Sequence, residues 1–373
     1  MPKLIVQLQQ NTPMIHFQAE EAGATLRATA VKPALDRFLI EICKSEPDIK
    51  SWMHDTTNKA FDYRMTFRAE AWAKVENEAL KKYNNAQMPY FAKSDGVMCS
   101  MSVTMTIISA KGDLLGKIRE NIAAFFLLHN FGVRGTKGYG SFQVVSINGE
   151  PVTCTEKAIR EAVALSGEFE PNLYKLPLNN CSNWGAALAG VNNIYAQMKS
   201  GSYPIKLKQD QSEVLSEEKS DAEYTFLNGE KWWIKQKFGY NAQSSSNDSA
   251  GAQDNEPEAR FLRAMLGLSG SYRVGKNGGE VKVADQEDGI QRFASPLIFK
   301  PVRIGKQLQV YILVKRIPDV MFDREFAFTY GGRAETLKTP NQKEFSLAGF
   351  LDFVAGNAGG RLINKVEAGG EGV

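Results

Sequence analysis

GVRGTKGYGS, residues Gly132 to Ser141, sets four glycines and two cations between an apolar helical pattern and a strand-like run. Glycine has no Cβ, so such a backbone turns through positive φ and approaches other chains closely. Arg134 and Lys137 add donors suited to phosphate oxygens. A pliable cationic ribbon fixed at both ends suits a sugar–phosphate chain. The plainer alternative is a glycine-rich turn that only links helix to strand. Two familiar phosphate loops do not fit. A P-loop (GxxxxGK[ST]) and a dinucleotide loop (GxGxxG) both follow a strand and open a helix. Here the order is helix, glycines, strand, and no helix N-terminus follows to hold an anion.

The flanks predict the elements. Leu114, Leu115, Ile118, Ile122, Phe125, Phe126 and His129 share one helical face behind a cap at Asp113, which makes His129 a core residue. Phe142 to Ile147 reads as a strand ended by Asn148-Gly149. Upstream, Leu4 to Leu8 is a strand stopped by Asn11-Thr12-Pro13. Val31, Leu35, Phe38, Leu39, Ile42 and Cys43 mark an amphipathic helix with Pro33 in its first turn. Phe61 to Ala69 and Cys99 to Ile108 are strands, the latter alternating Val103, Met105 and Ile107 with Ser102, Thr104 and Thr106. Between them, Ala71 to Tyr83 is expected to form an inserted helix. The order β-α-β-β-α-β is the ferredoxin-like arrangement, with helices on one sheet face and the other face open to a ligand.

The second half is less regular. Asn183 to Met198, Pro257 to Leu266 and Phe345 to Val354 read as helices. Lys231 to Phe238, Pro296 to Ile304 and Leu308 to Ile317 read as strands. Residues 241–257 and 274–289 are expected as mobile loops, and 356–373 as a flexible tail. The fold class expected is α+β, with tandem ferredoxin-like (RRM-like) domains. The first spans 1–150 with an insertion at about 70–96, and the second, more divergent, spans 151–355, so the boundary falls near Gly149 to Thr155.

Composition narrows function less than the motif does. With 373 residues, 43% apolar and 23% charged, the chain has the make-up of a soluble globular protein with room for two cores. A net charge of +3 says nothing about nucleic acid, so any basic surface must be local. Cys43, Cys99, Cys154 and Cys181 form no CxxC pair, and His16, His54 and His129 are equally dispersed, so no cofactor or metal is expected. No apolar run approaches bilayer length and the N-terminus is not a signal peptide, so the expected location is the cytoplasm.

A glycine-rich loop between the second helix and fourth strand of a ferredoxin-like unit resembles the RAMP superfamily of CRISPR-associated RNA-binding proteins. TPMIHFQAEEAGATLRATAVKPALDRFL, residues 12–39, is similar to the opening of the family of first RAMP subunits in type III-B (Cmr) effector complexes. The matching features are the Thr12-Pro13 turn, the loop from Phe17 to Gly23, and Leu26-Arg27-Ala28-Thr29 before the helix. RFASPLIFKPVRI, Arg292 to Ile304, resembles the Ala-Ser-Pro-Leu strand of the C-terminal RAMP unit. Two departures stand out: Glu70 to Gly96 does not align, and Phe38-Leu39-Ile40 replaces an aromatic pair. The resemblance implies a non-catalytic subunit at the head of the effector, near the 3′ end of guide RNA and holding target RNA. Its neighbours would be the other head subunit and a backbone subunit. The sister head subunit and a RAMP-type endoribonuclease are the alternative readings.

The candidate RNA-binding residues are Thr12, His16, Arg27, Lys32, Arg134, Gly135, Thr136, Lys137, Gly138, Tyr139 and Gly140. Arg134, Lys137 and the loop amides would meet phosphates, which carry no sequence information. That suits a protein whose specificity lies in guide–target pairing. Tyr139 would stack on a base or else pack down onto the sheet. Arg27 and Lys32, at the start of the first helix, would border the same groove, whereas Arg37 would pair on the solvent side. His16 would serve as general base in the endoribonuclease reading, which also needs a second acid or cation. KWWIKQKFGY, Lys231 to Tyr240, interleaves cations with aromatics and would offer an RNA- or subunit-binding face, or a core strand with solvated lysines.

Overall fold

The computed structural model describes residues 1–16, 21–57, 59–76, 96–178, 181–200, 206–207, 225–226, 233–234, 237, 259–273, 279–287, 289–357 and 362–367. The first sheet is built from β1 (Lys3–Gln10), β2 (Arg64–Glu76), β3 (Gly96–Ile108) and β4 (Phe142–Ile147), with α1 (Ala28–Ile42) after β1 and α2 (Gly112–Leu128) after β3. Its antiparallel order is β2-β3-β1-β4, extended at the β4 edge by Glu150–Pro151. Alternation decides the faces. Leu4, Val6 and Leu8 of β1 and Val103, Met105 and Ile107 of β3 are buried with Val31, Leu35 and Phe38 of α1 and Ile118, Ile122 and Phe125 of α2 in one core. Gln7 and Gln9 with Ser102, Thr104 and Thr106 occupy the opposite, only partly buried face.

A second antiparallel sheet follows α3 (Glu156–Leu165). It consists of β5 (Phe169–Lys175), β8 (Leu297–Ile304), β9 (Gln307–Lys315) and the short β12 (Asn364–Lys365), in the order β8-β9-β5-β12, with α4 (Trp184–Ser200) after β5. A third sheet holds β6 (Ser271–Arg273), β7 (Glu280–Asp285), β10 (Glu325–Tyr330) and β11 (Arg333–Lys338) in sequential order, and α5 spans Leu347–Asn357.

Two compact units result. The first comprises Met1–Ile194, Leu297–Lys315 and Gly359–Val373, and the second comprises Tyr195–Pro296 and Arg316–Ala358. The cuts therefore fall within α4 and on both sides of the β8–β9 hairpin rather than near Gly149 to Thr155. The first unit holds the first two sheets. The second has its own aromatic core, where Phe261 meets Phe326 at 5.4 Å and Phe328 at 4.9 Å between ring centroids.

Several expectations need correction. Ala71 to Glu76 continues β2 instead of starting a helix, because Trp72 and Ala73 pair with Ser100 and Cys99. Cross-strand pairing overrides the helical propensity of an Ala-, Lys- and Glu-rich segment. The remainder of that expected helix, 77–83, lies outside the described residues, as does the expected loop 241–257. Glu280–Asp285, inside the stretch expected as a mobile loop, is a strand with alternate residues buried. Within the expected tail, Ile363 is fully buried, Asn364 and Lys365 pair with β5, and the Val366 amide donates to the Leu173 carbonyl. Trp233 and Ile234 are buried in helical rather than strand conformation, the Trp233 ring 5.4 Å from Phe328. The rest of Lys231 to Tyr240 lies outside the described residues except Lys237. Among the described residues no helix is long and apolar enough to cross a membrane.

Candidate nucleic-acid interface

The glycine loop is not a free ribbon. Its far half, Gly138 to Ser141, is buried, and its near half, Arg134 to Lys137, is only partly covered. Gly140 shows why glycine is needed: φ is 65°, and a Cβ there would stand 1.8 Å from the Phe131 carbonyl oxygen. The Gly140 amide donates to the Pro13 carbonyl at 2.8 Å. At Gly138, with φ 85°, a Cβ would press on Pro301 at 3.1 Å. Thr12, expected to touch RNA, is instead buried inside this joint. Its Oγ1 donates to the Gly138 carbonyl at 2.6 Å and accepts from the Ser141 amide at 3.0 Å.

Strand β8 pins the other side of the loop. The Phe299 amide donates to the Thr136 carbonyl at 3.0 Å, and Lys137 forms a parallel bridge with Phe299. Asn130 Nδ2 donates to the carbonyls of Gly135 at 2.7 Å and Phe299 at 2.9 Å. Its Oδ1 accepts from Lys300, whose ammonium also donates to the carbonyls of His129 at 2.7 Å and Phe142 at 3.2 Å. Lys300 is wholly buried, and burial pushes its ammonium down to about 7. All three donors of a lysine head are thus matched by oxygens, as the interior requires. Lys300 and Asn130 were not singled out from the sequence. The available signal was a lone cation in the apolar run Leu297-Ile298-Phe299-Lys300-Pro301-Val302.

Two cations remain at the surface of this joint. Arg134 and Lys137 are half-buried and close a turn in which the Lys137 amide donates to the Arg134 carbonyl at 2.8 Å. Arg134 sits at φ 59°, a costly conformation for a side-chain-bearing residue. Burial and then the Arg134 charge hold the Lys137 ammonium below its ordinary value. Tyr139 does not present its ring to solvent. It is 1% exposed and packs with Ile15 and Leu188, so base stacking on it is ruled out by burial. The Arg134 guanidinium donates to its hydroxyl, which makes Tyr139 the post on which Arg134 rests.

His16 adjoins this loop through the backbone of its neighbour Ile15. Ile15 bridges Val133, whose amide donates to the Ile15 carbonyl at 2.8 Å. His16 is half-buried, and its imidazole lies below its usual value through burial first and the Arg27 charge second, with Glu21 opposing. Arg27 is the partly exposed residue that precedes α1. Lys32 does not join them. Its ammonium pairs with Asp36 at 2.8 Å, donates to the Phe61 carbonyl at 2.8 Å and lies 4.1 Å from the Tyr63 ring centroid. That charge serves the fold. Arg37 is exposed as expected.

Two family models match end to end. One, described as the Cmr1 N-terminal domain, covers residues 1–202, and the other, the Cmr1 C-terminal domain, covers residues 222–367. The chain belongs to the Cmr1 family. The crystal structure of Cmr1 from Pyrococcus furiosus in its apo form resembles it with a TM-score of 0.50 at 10% identity, over 98% of both chains, a likeness of fold. A cryo-EM structure of the type III-B Cmr-beta complex bound to cognate target RNA contains a chain with a TM-score of 0.26 at 11% identity, over 39% of this chain and 59% of that one. No curated protein matches in sequence.

Proposed function

We propose that this Cmr1-family protein is a non-catalytic, RNA-binding subunit at the head of a type III-B effector, working in the cytoplasm beside the other RAMP subunits and holding guide or target RNA. Family membership over residues 1–202 and 222–367 supports the assembly. The observation that carries the RNA reading is the asymmetry of the glycine loop. Its packing half is buried, while Arg134 and Lys137 are kept half-exposed on a rigid base, with Arg27 and His16 alongside. Fixed cations at a surface fit phosphate recognition. The architecture proposed is a tandem of ferredoxin-like units. The orders β2-β3-β1-β4 and β8-β9-β5-β12 support it, each with a helix after its first strand.

The test is RNA crosslinking in the purified effector carrying Arg134→Ala and Lys137→Ala together. Reduced crosslinking of this subunit, with the complex still assembled, is the expected result. Unchanged crosslinking would remove the loop from the RNA path.

A further inference from the structure

Trp72 is out of place in water. It is 48% exposed, although indoles gain more than most groups from burial. It is also firmly mounted. Trp72 pairs with Ser100 of β3, whose amide donates to Gln10 Oε1 at 2.7 Å, and Gln10 Nε2 donates to the Thr12 carbonyl at 2.9 Å. The same Thr12 ties down Gly138. On its other side the indole Nε1 stands 3.8 Å from where a Cβ would sit on Gly23. Gly23 belongs to the short loop that carries Glu21 and Arg27, both of which act on His16. From His16 the backbone bridge at Ile15 leads to Val133 and so to Arg134.

An exposed aromatic is therefore linked through Ser100, Gln10 and Thr12 to the loop that carries Arg134 and Lys137. We propose that Trp72 is a stacking platform for an unpaired base of a single-stranded RNA whose phosphates meet Arg27, Arg134 and Lys137. The inference rests on the RNA-binding reading above. Stacking is tolerant of base identity, because every base has a π-face, and cations beside an aromatic form the usual single-strand track. That hydrogen-bonded link to the cationic loop favours a nucleobase over a protein partner.

The experiment measures affinity of the assembled effector and of the full-length chain for a mixed-sequence single-stranded RNA across a salt series. Trp72→Ala, Trp72→Phe and the Arg134→Ala/Lys137→Ala pair are compared with wild type. Trp72→Ala should weaken binding about tenfold, with Phe restoring much of the loss. Its salt slope should match wild type, because no cation is removed. Wild-type affinity in Trp72→Ala, with weakened binding in the cation pair, would overturn the stacking role and leave the RNA reading standing. Failure of the wild-type protein to bind in either form would overturn both. Normal affinity with poor incorporation of Trp72→Ala into the effector would assign the indole to a neighbouring subunit and overturn the proposal.

Discussion

At Gly140 the space for a side chain is already taken by the Phe131 carbonyl, whereas at Gly135 the nearest atom to an added Cβ, the Asn130 carbonyl oxygen, lies at 3.4 Å. Two glycines of one motif thus have different physical standing. Gly140→Ala should cost at least about 3 kcal/mol, the sum of a positive φ and a backbone clash. Gly135→Ala should cost less than about 1 kcal/mol. Denaturant unfolding of the two variants measures the difference. His129 gives a pH dependence. Its Nδ1 hydrogen-bonds the Phe125 carbonyl at 2.9 Å, but burial, reinforced by the Lys315 and Lys300 charges, pulls the imidazole down from 6.5 to about 4. Between those values the unfolded chain binds the proton and the folded chain does not. The stability from this group is therefore complete above about pH 6.5 and lost as pH falls toward 4, by up to about 3 kcal/mol. His129→Phe should flatten unfolding free energy against pH in that window.

Strand β12 shows how much an element can hang on two residues. Asn364 and Lys365 pair with Lys175 and Tyr174, and Ile363 beside them is fully buried. Truncation after residue 361 should remove about 2–3 kcal/mol for Ile363 alone and lower the melting temperature, as calorimetry would record. Nothing in a glycine-rich C-terminal stretch announces such a strand, because its register is set by a distant partner. The elements that were legible carried their own pattern. The helical face from Leu114 to Phe126 and the alternation from Ser102 to Ile107 needed no neighbour to be read. Ala71 to Glu76 carries no such pattern, because its strand exists only through pairing with β3. The cations of the candidate site were legible as residue types. That Lys32 is consumed by Asp36 while Arg134 rests on Tyr139 was not, since both facts depend on tertiary packing.

Across the molecule, a charge of +3 on 373 residues makes the proposed RNA binding a matter of placement rather than total charge. If Arg134 and Lys137 each meet a phosphate, removing both should lower the slope of log affinity against log salt by about 1.4 for a single strand. Lys32→Ala should leave that slope unchanged while reducing stability, which separates general cation loss from loss at the loop.

The first unit is assembled from three separated stretches of chain, with residues 195–296 and 316–358 intervening. On the ribosome, the carbonyls of His129 and Phe142 emerge long before Lys300 arrives to bond them. At about 5–20 residues per second, translation leaves that half-built face open for roughly ten seconds or more. The joint around the glycine loop therefore closes only after residue 300 has been made, late in synthesis.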